Sequence, residues 1–378
     1  MNFDLDESQF MLRDNARNLF SNECPPKVVR EAMEKNNGFA SELWNVVAEA
    51  GWLGLTIPEK YGGAELSPLD LAVVLEQAGR AIAPIPLWSE YLATSAILAL
   101  GSEEQKQSLL PDLAEGKRIA VLAATEADGT WTFDEVGTKL SESSGGFEIS
   151  GTKVFIPDAH IANLLLAPAK TADGSLALAV VPTDATGVSV QILPGFDLTR
   201  RLCEVKFDKV QVPASSVMRG DVRAALAKVR YLGAAALAAE MLGGANACLD
   251  MAVDYAKVRY TFSRALGSYQ SIKHRLAEML GEIDGSRSLV MFAAWAAEAD
   301  PQQLPVAAAA AKSYCADTFC RASRENIQIH GGIGFTWEHD AHMYYKRAKL
   351  DDLLLGTGHD FREELVQALE AASPAAAG

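Results

Sequence analysis

Gln328-Ile-His-Gly-Gly-Ile-Gly-Phe335, followed by the segment Thr336 to Lys349 and then by Leu353-Leu-Leu-Gly-Thr357, decides how this chain is read. Upstream of it, Ala307 to Ile329 predicts a helix, because Ala, Lys, Glu and Arg dominate and apolar residues recur three and four apart. Gly331 and Gly332 end that helix. Glycines there permit a positive φ and let a phosphate or another backbone approach with no Cβ in the way. A second helix is predicted from about Glu338 to Leu354, stopping at Gly356-Thr357-Gly358. Two helix ends therefore bracket a glycine-rich corner. A Gly-Gly pair between helices also serves as a plain tight connection, so the rest of the chain has to decide between the two uses.

Working outward, the 378 residues are 49% hydrophobic and 22% charged, enough for a large core divided into two or three domains. A net charge of −15 argues against nucleic acid or an anionic membrane surface as partner, while leaving room for local basic patches that meet phosphates. The five cysteines, Cys24, Cys203, Cys248, Cys315 and Cys320, are odd in number, scattered and without a C-x-x-C pair, which fits reduced thiols in the cytoplasm. The N-terminus MNFDLDESQF is acidic with no apolar h-region, and the longest apolar runs read as too short or too glycine-interrupted to span a bilayer, so no membrane insertion is expected. His339 and His342 stand three apart on the predicted helix. With no Asp, Glu or Cys cluster at ligand spacing they read as a solvated helix face, and no metal site is expected.

The texture along the chain changes twice. Residues 1–117 read as all-α, with Asp6 or Ser8 capping a first helix, Ser67 capping Leu69 to Ala81, and another helix from Ser89 to Leu100. Residues 118–221 carry short β-rich runs separated by turn residues, among them Ala120 to Thr125, Gly146 to Ser150, Lys153 to Ile156, Leu164 to Ala167 and Leu176 to Val181, and predict a compact barrel or sandwich. Residues 222–378 are helical again, with long segments near Ala224 to Thr261, Ser268 to Ala299 and Pro305 to Ile329.

The glycine-rich corner and this order of segments resemble the acyl-CoA dehydrogenase family, and the likeness runs along essentially the whole chain. The resemblance implies an α+β fold of N-terminal helical domain, middle β-barrel and C-terminal helical bundle, with FAD as cofactor. In that family the Gln and Gly-Gly of a Q-x-x-G-G-x-G segment contact the ADP part of an FAD belonging to a neighbouring subunit; here the matching positions are Gln328, Gly331 and Gly332. Arg259-Tyr-Thr-Phe262 resembles the R-x-x-F-G motif, in which Arg meets the FAD pyrophosphate and Phe packs by adenosine; Ser263 replaces the glycine and Gln270 falls where the motif continues with Gln. Arg suits that role because its rigid fork gives paired, charge-assisted contacts to phosphate, although an Arg at a helix end also serves the helix dipole.

The resemblance is weaker where the flavin would lie. The family's T-E-P-x-A-G-S-D segment appears as Thr125-Glu-Ala-Asp-Gly-Thr-Trp131 and its W-I-T-N-G counterpart as Phe155-Ile-Pro-Asp-Ala159. Thr125 is kept and Phe155 offers a ring for stacking, but Pro157 has neither the hydroxyl nor the N–H of a Thr.

The implied reaction is α,β-dehydrogenation of an acyl-CoA thioester, in which a carboxylate takes the α-proton while hydride leaves the β-carbon for flavin N5. The family's usual base precedes the late Gly-Thr; here Leu355 stands there, before Gly356 and Thr357, with only its backbone N–H to offer a thioester carbonyl. The family's second base location, on the helix leading to Arg259, falls at Gly233. Glu240, two helical turns further on, is the nearby carboxylate, and its alternative reading is a buried ion-paired residue.

Positions serving a neighbour's FAD are kept while those serving the chain's own flavin and base are altered. That pattern, with Ala239-Glu-Met-Leu-Gly-Gly-Ala245 and His330 to Asp340, resembles the accessory chains of bacterial heteromers of two chain types (α2β2), including ones acting on steroid side chains. The expected partners are a bulky acyl-CoA of steroid or fatty acid degradation, a homologous catalytic subunit and an electron-transfer acceptor. Two alternatives stand beside this: a self-sufficient homotetramer using Glu240, and a flavin-free relative that binds acyl-CoA without turnover.

Overall fold

The computed structural model describes residues 5–131, 133 and 135–372. Its residues group into two compact units that do not follow chain order. One takes the residues up to Glu31, Pro68–Ala83 and everything from Ala234 onward, and the other takes Ala32–Ser67 and Pro84–Gly233.

The first unit is helical. Helix α1 (Glu7–Glu23) is started by a capping box in which the Asp6 carboxylate accepts from the Gln9 N–H and the Gln9 side chain accepts from the Asp6 N–H, so two otherwise orphaned donors are satisfied together. Helix α2 (Pro26–Lys35) follows, its first turns in this unit. Helix α4 (Pro68–Arg80) and the later part of α7 (Val222–Val258) cross without room for a side chain: a Cβ on Gly79 would sit 2.0 Å from the Glu240 carbonyl oxygen, and one on Gly243 would sit 1.8 Å from that of Glu76. Helices α8 (Gln270–Ala299), α9 (Leu304–His330), α10 (Ala341–Leu353) and α11 (Gly358–Ala372) complete the bundle. Gly244 lies against the Phe319 ring of α9, where a Cβ would meet ring carbons at 2.4 Å. The run Leu242-Gly-Gly-Ala245 is thus accounted for by helix packing.

Helix α7 corrects one expectation. Its 37 residues include an 18-residue window apolar enough to cross a bilayer, yet 89% of that window is buried inside the protein, so its apolar surface is spent on the core.

The second unit is built on an eight-stranded sheet flanked by α3 (Ser41–Glu49), α5 (Leu87–Leu100) and α6 (Glu103–Ala114). The strands are β1 (Ala120–Leu122), β2 (Lys139–Ser143), β3 (Gly146–Pro157), β4 (Leu164–Thr171), β5 (Leu176–Pro182), β6 (Val188–Ile192), β7 (Leu202–Val212) and β8 (Val217–Met218). Their order is β6-β7-β3-β2-β4-β5-β8, with β1 also on β4. Strands β6 and β8 end that order without pairing with each other among the described residues, so the sheet is open where a closed barrel was expected. Contacts of β4 with β1 and β2 are parallel and the others antiparallel. The two runs predicted as separate strands at 146–150 and 153–156 are one strand, β3, whose register against β7 slips between Ile149 and Gly151 and again between Lys153 and Ile156.

Candidate functional site

In the helical unit, α7 ends at Val258 and the Arg259 N–H still donates to the Tyr255 carbonyl at 2.9 Å. The chain then reverses in a hairpin, β9 (Tyr260–Thr261) against β10 (Arg264–Ala265), whose two turn residues both take positive φ, 50° at Phe262 and 64° at Ser263. Such a turn favours glycine, which explains a glycine at the family's equivalent of Ser263; an L-residue there costs about 1–2 kcal/mol. The hairpin is braced from below: the Tyr269 hydroxyl donates to the Thr261 carbonyl at 2.8 Å, and the Arg264 guanidinium sits 3.7 Å over the Tyr269 ring. Phe262 is left 88% exposed. Arg259 and Gln270 are exposed too, and Arg259 makes no ion pair among the described residues.

The glycine-rich corner lies beside the end of α7. Tyr255 stacks on His330 with ring centroids 4.3 Å apart, and His330 on His339 at 4.2 Å. Gly331 ends α9 at φ 67°, its N–H donating to the Gln328 and Ile327 carbonyls. A Cβ on Gly331 or Gly332 would meet nothing within 4 Å, whereas one on Gly334 would strike His330 at 2.8 Å. Arg30 clamps the following segment, its guanidinium donating to the Asp340 carboxylate and to the Trp337 carbonyl. The histidine reading is corrected here. Helix α10 begins only at Ala341, so His339 precedes it, and His342 is buried with its ring edge-on to Trp337 at 4.7 Å instead of facing solvent. No group of three metal-ligating side chains occurs among the described residues.

The late Gly-Thr corner is held from inside. Lys312 of α9 is fully buried, and its ammonium donates to the carbonyls of Asp352 at 3.0 Å and Gly356 at 3.1 Å, closing off the C-terminal end of α10. Between them Leu355 is buried at φ 66°. Thr357 caps α11: its N–H and hydroxyl both donate to the Asp360 carboxylate at 2.8 Å. Glu240 is 4% exposed, and the buried Arg347 guanidinium donates to it at 2.6 Å. That geometry gives Glu240 the buried ion pair of its alternative reading.

In the sheet unit, Gly233 sits on the opening turns of α7, where the buried Trp88 indole N–H donates to its carbonyl at 2.9 Å. The turn that bears the second base location is therefore tied to the Trp88 indole through its backbone carbonyl. Thr125 is buried and its hydroxyl donates to the Val154 carbonyl at 2.5 Å, stapling its segment to β3. Glu126 does the same by charge. Burial raises its pKa, but the Lys153 ammonium at 2.8 Å, the Thr138 N–H and the Thr138 hydroxyl outweigh that and hold the carboxyl at about 2. Phe155 stands at the second register slip of β3 with φ 61° and is 48% exposed. The following Asp158 is buried and accepts from the Ser89 hydroxyl at 2.5 Å. Beside Ser89 in sequence, on the first turn of α5, Glu90 is buried; one carboxyl oxygen accepts from the Ala120 N–H at 3.0 Å, the other has no hydrogen-bond partner among the described residues, and burial pushes its pKa well up.

Sequence reasoning did not single out Glu90, Lys153, Lys312 or Arg347. For Glu90 and Lys312 the signal was a lone charge in a largely apolar run, Ile85 to Leu92 around the first and Ala307 to Ala311 before the second; Arg347, beside Lys346 and Lys349, carried no such signal.

Comparison with known proteins fits this geometry. Family models described as the acyl-CoA dehydrogenase N-terminal and C-terminal domains match residues 6–117 and 225–369. Acyl-CoA dehydrogenase IpdE2 of Mycolicibacterium smegmatis is 33% identical over 353 residues, covering 93% of this chain and 96% of that relative. The ChsE4-ChsE5 complex of Mycobacterium tuberculosis contains a chain matched at a TM-score of 0.88 and 26% identity, covering 99% of this chain and 100% of that one. A variant of the Tcur3481-Tcur3483 steroid ACAD matches at 0.86 and 30% identity, covering 97% and 99%. Family models thus match both helical segments, the relative is similar over nearly the full length of this protein, and the chain belongs to the acyl-CoA dehydrogenase family.

Proposed function

We propose that this chain is the accessory subunit of a heteromeric FAD-dependent acyl-CoA dehydrogenase. It supplies Arg259, Phe262, Gln270, Gln328, Gly331 and Gly332 to the nucleotide end of an FAD whose flavin lies in a homologous catalytic subunit. FAD supplies the hydride acceptor; the residues of this chain bind its phosphates and fix its position. Proton abstraction from a bulky acyl-CoA, and electron delivery to a separate acceptor, belong to the catalytic partner.

The observation that carries this reading is that no carboxylate is open at either family base location. Leu355 stands at one, Gly233 with its carbonyl tied to the Trp88 indole at the other, and Glu240 is held by Arg347. The nucleotide-binding positions are by contrast exposed. Gly332 adds support from within the chain: its φ is not left-handed and no neighbour crowds it, so nothing in this polypeptide requires glycine there, whereas close approach by an outside group does. The likeness to ChsE4-ChsE5 and to the Tcur3481-Tcur3483 steroid ACAD supports both a two-chain assembly and a steroid-type acyl group. Five buried cysteines, with the thiols of Cys24, Cys203 and Cys315 pushed up to about 12 by burial, suit a reducing cytoplasm.

The test is to purify the chain alone and together with the homologous protein encoded beside it, and to record flavin absorbance with and without acyl-CoA. Colour and turnover only on co-expression support the proposal. A lone chain that is yellow and bleaches with acyl-CoA would make it a self-sufficient homotetramer, and a colourless chain that binds acyl-CoA in both preparations would make it a flavin-free relative.

A further inference from the structure

Two adjoining cavities in the helical unit are lined by none of the residues expected to hold FAD. The larger, about 480 Å³, lies among α1, α4, α7 and α8 and is lined by Arg13, Arg17, Arg80 and Arg287. The smaller, about 270 Å³, is mostly apolar and is lined by Phe20, Val29, Ile82 and Met343 among others. Three residues line both: Arg17, Gln77 and Arg80.

The charges in the larger cavity are only partly matched. Arg287 forks onto Glu76 at 2.9 and 3.0 Å, and Arg80 pairs with Asp250. Arg13 pairs with its exposed chain neighbour Asp14, and Arg17 makes no ion pair among the described residues. In a chain of net charge −15, a concave site with an uncompensated guanidinium runs against the overall field. Gln77 is the second, independent sign. It is only 5% exposed, and its side-chain amide makes no hydrogen bond among the described residues; its polar atoms are not among the fully occluded unpartnered ones, so the amide is open to the cavities it lines. It lines both cavities, where a bound group would pair with it.

We propose that the two adjoining cavities together bind an apolar monocarboxylate, its carboxylate on the Arg17 guanidinium and the Gln77 amide beside Arg80, its apolar body among Phe20, Val29, Ile82 and Met343. One unmatched guanidinium calls for one negative charge, and a planar carboxylate suits both a guanidinium fork and an amide N–H₂. The apolar cavity shares that pair as lining, so the ligand that fits both has a charged head and a hydrocarbon body.

Isothermal titration of the full chain with octanoate, inorganic phosphate and octanol tests this. Octanoate is expected to bind saturably at one site per chain, with phosphate and octanol each weaker by about tenfold or more, since each keeps only half of the recognition. Arg17→Gln, at an exposed position that folding does not depend on, and Gln77→Leu, which fills the same volume without an amide, are each expected to weaken octanoate binding about tenfold while circular dichroism stays unchanged. No saturable heat at millimolar octanoate would overturn the proposal. So would phosphate binding as tightly as octanoate, or folded variants that bind octanoate like the wild-type chain.

Discussion

Arg347→Met is expected to lower stability steeply at neutral pH and much less in acid. The wild-type guanidinium meets the Glu240 carboxylate at 2.6 Å with both side chains buried. Removing one partner of such a pair costs about 3–5 kcal/mol, because the remaining charge stays out of water. A carboxylate stranded in this way can instead take up a proton, and for an ordinary carboxyl near 4.3 that costs about 1.4 kcal/mol per pH unit, roughly 3–4 kcal/mol at pH 7 and about 1 kcal/mol at pH 5. The two routes converge on one figure at neutral pH and differ only in acid. The sign follows: a group protonated in the folded state and ionised in the unfolded one loses folded-state stability as pH rises. Urea unfolding of the variant at pH 7 and pH 5 measures it. Pairing Arg347→Met with Glu240→Leu should recover most of the loss, since apolar replacements of both partners are often neutral or better. A variant as stable as the wild type at pH 7, or equally impaired at both pH values, would refute the reasoning. Glu240→Gln supplies the functional control: in the co-purified complex it is expected to leave turnover largely intact, and a folded complex without turnover would make Glu240 the base after all.

Arg259→Ala should loosen FAD in the co-purified complex by about 10–100-fold, the worth of one or two charge-assisted contacts, read as flavin retained after gel filtration; equal retention would remove Arg259 from the cofactor site. Gly332→Ala should leave the melting of the lone chain within about 0.5 kcal/mol of wild type, because its Cβ would point into open space, while reducing flavin retention by the complex; an unaffected complex would refute the close-approach argument. Ser263→Gly should stabilise the chain by about 1 kcal/mol by relieving a left-handed residue, a gain visible in urea melts and absent if the hairpin turns otherwise in solution. Glu90→Gln should stabilise the chain at pH 7 and not near pH 4. Burial raises the Glu90 pKa, so its contribution is fully favourable only below the ordinary carboxyl value and is lost as pH rises above it, whereas an amide keeps the bond from Ala120 at every pH. Parallel pH–stability curves for the two proteins would count against that assignment.

Much of this fold was legible because its helices are long and periodic. The segments predicted near Ser268 to Ala299 and Pro305 to Ile329 are found at Gln270–Ala299 and Leu304–His330, and the run at Leu176 to Val181 is a strand. Strand β2 was missed because Lys139-Leu-Ser-Glu-Ser143 is mostly polar: only Leu140 is buried, and its place between β3 and β4 comes from backbone pairing that composition does not reveal. The openness of the sheet was likewise hidden, since closure depends on whether β6 meets β8, far apart in the chain. At the candidate site, the motif residues Arg259, Phe262 and Gln328 could be placed on helix ends from sequence. What the buried charges do could not. Nothing local to Glu240 announces that Arg347 will neutralise it, because the two are brought together by α7 and α10 only in the folded unit.

The glycines show why motif and mechanism have to be separated by structure. Gly243-Gly244 and Gly331-Gly332 look alike on the page, and both lie in segments that resemble accessory chains. The first pair answers to crowding from inside the protein, with the Glu76 carbonyl against one residue and the Phe319 ring against the other, so any substitution must push a helix away. In the second pair Gly331 answers to its left-handed φ and Gly332 to nothing in the chain itself. An internal requirement binds a residue whatever the protein does, while an external one persists only where something outside presses on it. Thr357, expected from the family resemblance to be a cofactor contact, also has an internal role as the cap of α11, so its presence beside Leu355 does not by itself argue for chemistry at this corner. Sorting residues in this way leaves Arg259, Phe262, Gln270, Gln328 and Gly332 as exposed positions whose residue type no contact among the described residues explains, and it is on that set that the proposed hold on the nucleotide end of FAD rests.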